Sequence, residues 1–204
     1  MRSQSWVWPF WPIGVTVVIA LTLTLAGSAQ TEAQGTPGTP GVWFLGISPT
    51  LPPGDLPQFR LALAHGIDRA AVARAAAPHA VLPGTQSATG IQHPNLPGYN
   101  PAVRGPSYDP AKSRELFAQS GWTRPISILT TSSTNNWVLA VENVLVQSLQ
   151  ASTGATVSFA KVASFAVLTS SARAGTVPIW LYGWESRSGV SAPGIGQDLL
   201  HVGP

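Results

Sequence analysis

Residues 126–162 hold the pattern that most limits the fold. Ile126–Thr131 (ISILTT) and Thr156–Val162 are short runs rich in apolar and β-branched residues, each suited to a half-buried pleated surface. Between them Val138, Val141, Leu145 and Leu149 recur at helical spacing, joined by Trp137 and Val144. Asn135 or Asn136 stands where the N-cap of that helix, Trp137–Gln150, belongs. Strand, amphipathic helix and strand in that order predict parallel strands joined by a crossover helix.

The rest of the chain extends the alternation. Val42–Ile47 (VWFLGI) is a candidate buried strand closed by Ser-Pro, and Val177–Trp184 (VPIWLYGW) is another. Asp55–Ala77 is expected to be a helix pair, with Asp55 as N-cap, Pro57 in the first turn and Asp68 capping the second helix, Arg69–Ala77. Asp109-Pro110 opens a helix that Gly121 stops in the left-handed conformation. Ala163–Arg173 is a further helix. Residues 80–107, rich in Pro, Gly, Asn and Gln, form a loop long enough to suggest a binding role or disorder. The fold class is therefore α/β, with a mixed or mostly parallel sheet.

The N-terminus constrains location. No charge occurs from Ser3 to Thr31, and Ile13–Ala26 is an apolar run followed by Gly27-Ser28-Ala29. Two destinations fit, and both place an N-terminal hydrophobic helix ahead of the domain. One is a signal peptide cleaved after Ala29. The other is an uncleaved anchor, with Trp6, Trp8 and Trp11 at the membrane interface. Either way the remainder is exported, to the periplasmic or extracellular face of the cytoplasmic membrane. The expected organisation is a leader over 1–29, a Thr/Pro/Gly linker over 30–41 and a domain over 42–204.

Composition excludes several functions. With no cysteine there is no disulfide framework, thiolate metal site or cysteine nucleophile. Lys and Arg exceed Asp and Glu by only 11 to 8 and are scattered, so the basic stripe that nucleic-acid binding requires is missing. Charged residues are 9% of the chain, but 44% apolar content rules out wholesale disorder. His65, His79 and His93 are evenly spaced, which does not bring three ligands together for a metal. There is no Gly-x-Ser-x-Gly elbow, and Gly194-x-Gly196 lacks the third glycine of a dinucleotide site. No enzyme activity and no cofactor are expected. Trp43 and Trp180 are expected in the core. Trp184, beside a Gly-rich tail, fits ligand contact or core packing.

Four segments in order carry a resemblance: Phe59–Arg74 (FRLALAHGIDRAAVAR), Leu96–Tyr99 (LPGY), Tyr108–Trp122 (YDPAKSRELFAQSGW) and Ile179–Trp184 (IWLYGW). Together they resemble the family 5 extracellular solute-binding proteins of ABC importers, which include dipeptide and oligopeptide binders. Gly66-Ile67-Asp68-Arg69 stands for the family's Ala-Ile-Asp-Arg in a helix led by Arg60. Ser120-Gly121-Trp122 stands for its Ala-Gly-Tyr. The resemblance implies a partial lobe of a type II periplasmic-binding-protein-like fold with a mixed sheet. It also implies a small solute, such as a peptide, and an ABC permease as partners, with no nucleic acid. Family members are much longer, and their ligands lie between two closing lobes, so the chain corresponds to a truncated form.

The ligand residues the resemblance implies are Tyr182, Trp184, Glu185 and Arg187. Peptide binders of the family carry an aspartate after Gly-Trp that pairs with the ligand ammonium. Arg187 stands there, and a guanidinium attracts a carboxylate instead. Glu185 is acidic but two residues early. Arg187 also fits a solvated loop charge. The leading expectation is an exported solute-binding component, and the alternatives are an envelope-tethered accessory module that binds no solute, or a remnant without function.

Overall fold

The structure, a computed structural model, describes residues 19–21, 41–79 and 100–185. Five strands form one mixed sheet. They are β1 (Ile19–Leu21), β2 (Gly41–Ile47), β3 (Ile126–Thr131), β4 (Val157–Val162) and β5 (Ile179–Glu185), in the order β1-β2-β5-β3-β4. β4 and β5 run parallel to β3, whereas β2 is antiparallel to both β5 and β1. The expected α/β class, mixed sheet and partial lobe are what the chain forms. The helices are α1 (Pro57–Gly66), α2 (Arg69–Ala76), α3 (Pro110–Ser120), α4 (Asn136–Thr153) and α5 (Phe165–Arg173), with one 3-10 turn at Ala77–His79. Among the described residues no helix is long and apolar enough to cross a membrane.

Strand alternation sorts side chains to two faces. Leu45, Ile47, Ile126, Ile128, Val157, Ile179 and Leu181 meet α1–α4 in the main core. On the other face Trp180 packs with Leu168 and Ala172 of α5. The two longest strands interlock through paired glycines. Trp43 faces Gly183 and Gly46 faces Trp180 in the β2–β5 register. Each indole lies across its partner's bare Cα, one on each face of the sheet, and a Cβ at either glycine would collide with the ring. Trp180 is 3% exposed, and Trp43 packs edge-on to Trp137 with centroids 4.7 Å apart. Trp180 is a core residue, as expected, and Trp43 is partly buried against the main core.

The Gly66-Ile67-Asp68-Arg69 segment clamps three helices. Ser148 and Ser152 on α4 both donate to the Gly66 carbonyl, at 2.7 and 3.0 Å. Ser148 Oγ accepts from the Asp68 amide at 2.8 Å, and the Asp68 carboxylate caps α2 through the Ala71 amide. Gly66 is required because a Cβ there would lie 2.7 Å from Ser113 Oγ of α3. The Arg69 guanidinium donates to the Pro106 and Ala64 carbonyls, and burial lowers its pKa from the ordinary value. His65 Nδ1–H donates to the Ser107 carbonyl at 2.9 Å. The end of the long loop is thereby strapped onto the α1–α2 junction.

Several expectations shift. Asp55 does not cap α1. The Asp55 and Leu56 amides are spent on a turn, bonded to the Leu51 and Pro53 carbonyls, so the helix starts at Pro57 with Leu56 as an N-cap that has no side-chain bond. α4 continues past Gln150 to Thr153 because Ser152 is bonded to Gly66 and Thr153 to the Leu149 carbonyl. The expected N-terminal hydrophobic helix lies outside the described residues except at Ile19–Leu21. There the chain is extended, paired to β2, and not helical. That run is rich in β-branched Val, Ile and Thr, which favour a pleated strand where a partner edge exists.

Candidate functional site

The parallel strands β3, β4 and β5 end on one edge of the sheet. In open α/β sheets, ligands bind beyond the C-terminal ends of strands, where connections diverge to opposite faces. That divergence occurs here, because β3 leads into α4 on the main-core face and β4 leads into α5 on the other. The edge is polar. Ser132–Asn135 connect β3 to α4, with the Ser132 amide tied to the Val162 carbonyl and the Trp137 amide to Asn135 Oδ1. Ser164 caps α5 through the Val167 amide.

β5 brings three of the four expected site residues to this edge. Tyr182 pairs with Phe44, Trp184 with Val42 and Glu185 with Gly41. Tyr182 is half-buried in an aromatic column. Its ring centroid is 5.1 Å from Phe44 and 4.8 Å from Phe165. Burial falls along this column, from Phe44 at 2% exposed to Phe165 at 41%. The side chains of Trp184 and Glu185, and Arg187 altogether, lie outside the described residues, as do Leu96–Tyr99 and His93.

Phe165 escapes the sequence reading. Spacing places it on the same stripe as Leu168 and Ala172, which predicts burial. It is instead 41% exposed, with its ring against that of Tyr182. The Ser132–Asn135 connection was legible only as a cap. Its position beside β5 depends on the parallel β3–β5 pairing. His65 is engaged by the Ser107 carbonyl, far from this edge in sequence. Among the described residues no group of three or more His, Asp or Glu could hold a metal ion.

Residues 17–196 match the family described as bacterial extracellular solute-binding proteins, family 5 Middle. No curated protein matches. Among solved structures the chain shares its fold with the ABC transporter substrate-binding protein CtaP from Listeria monocytogenes. The TM-score there is 0.60 at 15% identity, covering 83% of this chain and 31% of that one. It is similar to the periplasmic binding protein DppA from Helicobacter pylori, solved with the peptide STSA, with TM-score 0.59, 18% identity, and 91% and 31% covered. It is also similar to MoaA from A. tumefaciens R10, solved with mannopinic acid, with TM-score 0.56, 21% identity, and 83% and 31% covered. The chain thus spans about a third of the length of these relatives. The family is one of binding proteins and not of enzymes, and its members act outside the cytoplasm. The match covers most of the sequence, and the order of elements agrees with it: this chain belongs to the family 5 bacterial extracellular solute-binding proteins.

Proposed function

We propose that the chain serves in the substrate-binding component of an ABC importer, supplying one wall of a solute site at the C-terminal ends of β3, β4 and β5. The solute is a peptide or a small molecule of similar polarity, and the onward partner is a membrane permease. The observation that carries this reading is the row of aromatic residues along β5. Trp180 is 3% exposed and Tyr182 is half-buried. Trp184, next in the same alternating row, is at the strand's C-terminal end. A row that begins in the core and ends at the polar edge offers stacking surface where a ligand arrives. Phe165 adds an exposed ring beside Tyr182. In the sequence Glu185 and Arg187 follow with charges of both signs, and Arg187 favours a solute that carries a carboxylate.

The test is calorimetry and thermal unfolding of the chain with di- and oligopeptide mixtures and with carboxylate-bearing opine-like solutes. A ligand at a hundred times its Kd stabilises the native state by about 2.7 kcal/mol, enough to move the melting temperature. Trp184→Ala is expected to abolish the shift while leaving far-ultraviolet dichroism unchanged. No heat and no shift with any solute overturns the proposal. Unfolding of Trp184→Ala would instead place that ring in the core.

A further inference from the structure

Three residues of the apolar leader run lie in the sheet. Ile19, Ala20 and Leu21 pair antiparallel with Leu45, Phe44 and Trp43, and α2 passes beside them. β2 is a demanding template. Its inner edge is paired to β5 over all seven residues of Gly41–Ile47. Val42, Phe44, Leu45 and Ile47 are each 2% exposed or less. An uncovered outer edge on so apolar a strand would present a row of unpaired N–H and C=O groups, a template for pairing that β1 occupies.

The comparisons reach the same stretch. The family match begins at residue 17, inside the apolar run. The likeness to DppA covers 91% of the chain, a share that residues 42–204, about four-fifths of it, do not reach. Composition allows both destinations. Val15, Val17, Val18 and Ile19 with Thr16, Thr22 and Thr24 suit a strand. The whole run Ile13–Ala26 is also apolar enough to enter lipid. The two states exclude one another. Inside hydrocarbon a segment must satisfy its backbone within its own helix, whereas β1 commits the same groups to β2.

We propose that Ile19–Leu21 is a segment with two destinations: in water it covers the outer edge of β2, and in a bilayer it leaves the sheet and uncovers that edge. Three residues make a short ladder, so insertion of the longer run outweighs it. The inference does not rest on the solute-binding role.

The experiment is hydrogen–deuterium exchange on the full chain, produced without export, in buffer and with vesicles of phosphatidylethanolamine and phosphatidylglycerol. Ala20→Pro and Leu21→Pro are compared with the parent. Neighbouring positions are chosen because successive strand N–H groups point to opposite sides, so one of the two prolines removes a ladder donor. Segment 43–45 of the parent is expected to exchange at least tenfold more slowly in buffer than in one of the variants. Vesicles are expected to bring the parent to the variant's rate while Ile179–Leu181 stays protected. Equal rates in the parent and both variants overturn the proposal. So does vesicle co-flotation with no change at 43–45. If a proline variant loses its near-ultraviolet dichroism, the vesicle comparison on the parent decides.

Discussion

Adding one methyl group at residue 46 tests the register of the sheet. A Cβ there would lie 2.6 Å from Cζ2 of Trp180 and closer still to Cε2 and Nε1. Carbon atoms in contact sit about 3.5–4.0 Å apart, so the indole must retreat by about 1 Å or more. It has little room to do so, because Trp180 is 3% exposed and wedged against Leu168 and Ala172. Two routes relieve the clash. Expelling the ring re-exposes about 150–250 Å² at about 25 cal/mol per Å², or about 4–6 kcal/mol. Shifting it within the core is ordinary overpacking, at about 1–3 kcal/mol, and therefore wins. A rigid ring places the cost in the upper half of that range. The smaller unfolded-state entropy of Ala returns about 0.4–1 kcal/mol.

Gly46→Ala is thus expected to destabilise the lobe by about 2 kcal/mol, lowering the urea midpoint by about 1 M for a typical m of about 2 kcal/mol/M. The transition is followed by far-ultraviolet dichroism, because tryptophan emission responds to the ring itself. Trp180→Leu removes the obstacle, so the double variant should be more stable than the sum of the single changes by at least about 1 kcal/mol. A Gly46→Ala protein as stable as the parent, or strict additivity with Trp180→Leu, would refute the interlocked β2–β5 pairing.

Three further predictions concern polar contacts. Ser148→Ala should cost about 1–3 kcal/mol in urea unfolding, and Ser152→Ala only about 1 kcal/mol: the first strands the Asp68 amide, whereas the second leaves Ser148 still bonded to Gly66. Lys161→Met should cost about 2 kcal/mol, because it leaves the Glu142 carboxylate, 7% exposed, without its cation. Glu142→Leu with Lys161→Met should recover most of that loss in the same assay. Lys112, by hydrogen bond and charge, holds the Glu115 carboxyl below its usual range. Its small stabilising effect is therefore present above the unfolded-state glutamate pKa and lost as pH falls through the lower folded value. Lys112→Met should raise that titration toward the ordinary glutamate range by carbon-detected NMR.

What could be read from sequence was what a few neighbouring residues decide. Asp109, Pro110 and Gly121 bound α3 as expected, with the Asp109 carboxylate on the Lys112 amide and Gly121 at φ 69°. Asp68 and Asn135 cap α2 and α4 for the same local reason. Most of the misses are long-range, the Asp55 cap excepted. Asp55 lost the cap to a turn whose bonds run to Leu51 and Pro53. α4 outran its expected end through a bond from Ser152 to Gly66, 86 residues away. The end of the 80–107 loop read only as loop because nothing near it in sequence announces His65 and Arg69 as the anchors of Ser107 and Pro106. At the candidate site, Tyr182 was legible as a strand residue near a glycine. Its neighbour Phe165 was not, because helical periodicity puts it on the stripe of Leu168 and Ala172.

Two of the four segments that carry the family likeness are set apart from the residues proposed to meet the solute, whereas Ile179–Trp184 contains Tyr182 and Trp184. Gly66-Ile67-Asp68-Arg69 is engaged by bonds to α3, α4 and the loop ending at Ser107. Tyr108-Asp109-Pro110 opens a helix, and the Asp109 amide ties it to the His65 carbonyl. These are framework tasks with tight steric limits: a Cβ at Gly66 meets Ser113, and a lysine at position 69 could not serve two carbonyls with one planar fork. The C-terminal edge of β3, β4 and β5 has looser limits, since Phe165 is exposed and Tyr182 only half-buried. A sequence can therefore keep the lobe at 15–21% identity. On the proposed solute-binding role, specificity changes are expected at Ser132, Phe165, Tyr182, Trp184 and Arg187, read as a change in which solutes raise the melting temperature. Substitutions at Gly66, Asp68 or Arg69 should lower stability before they alter what is bound.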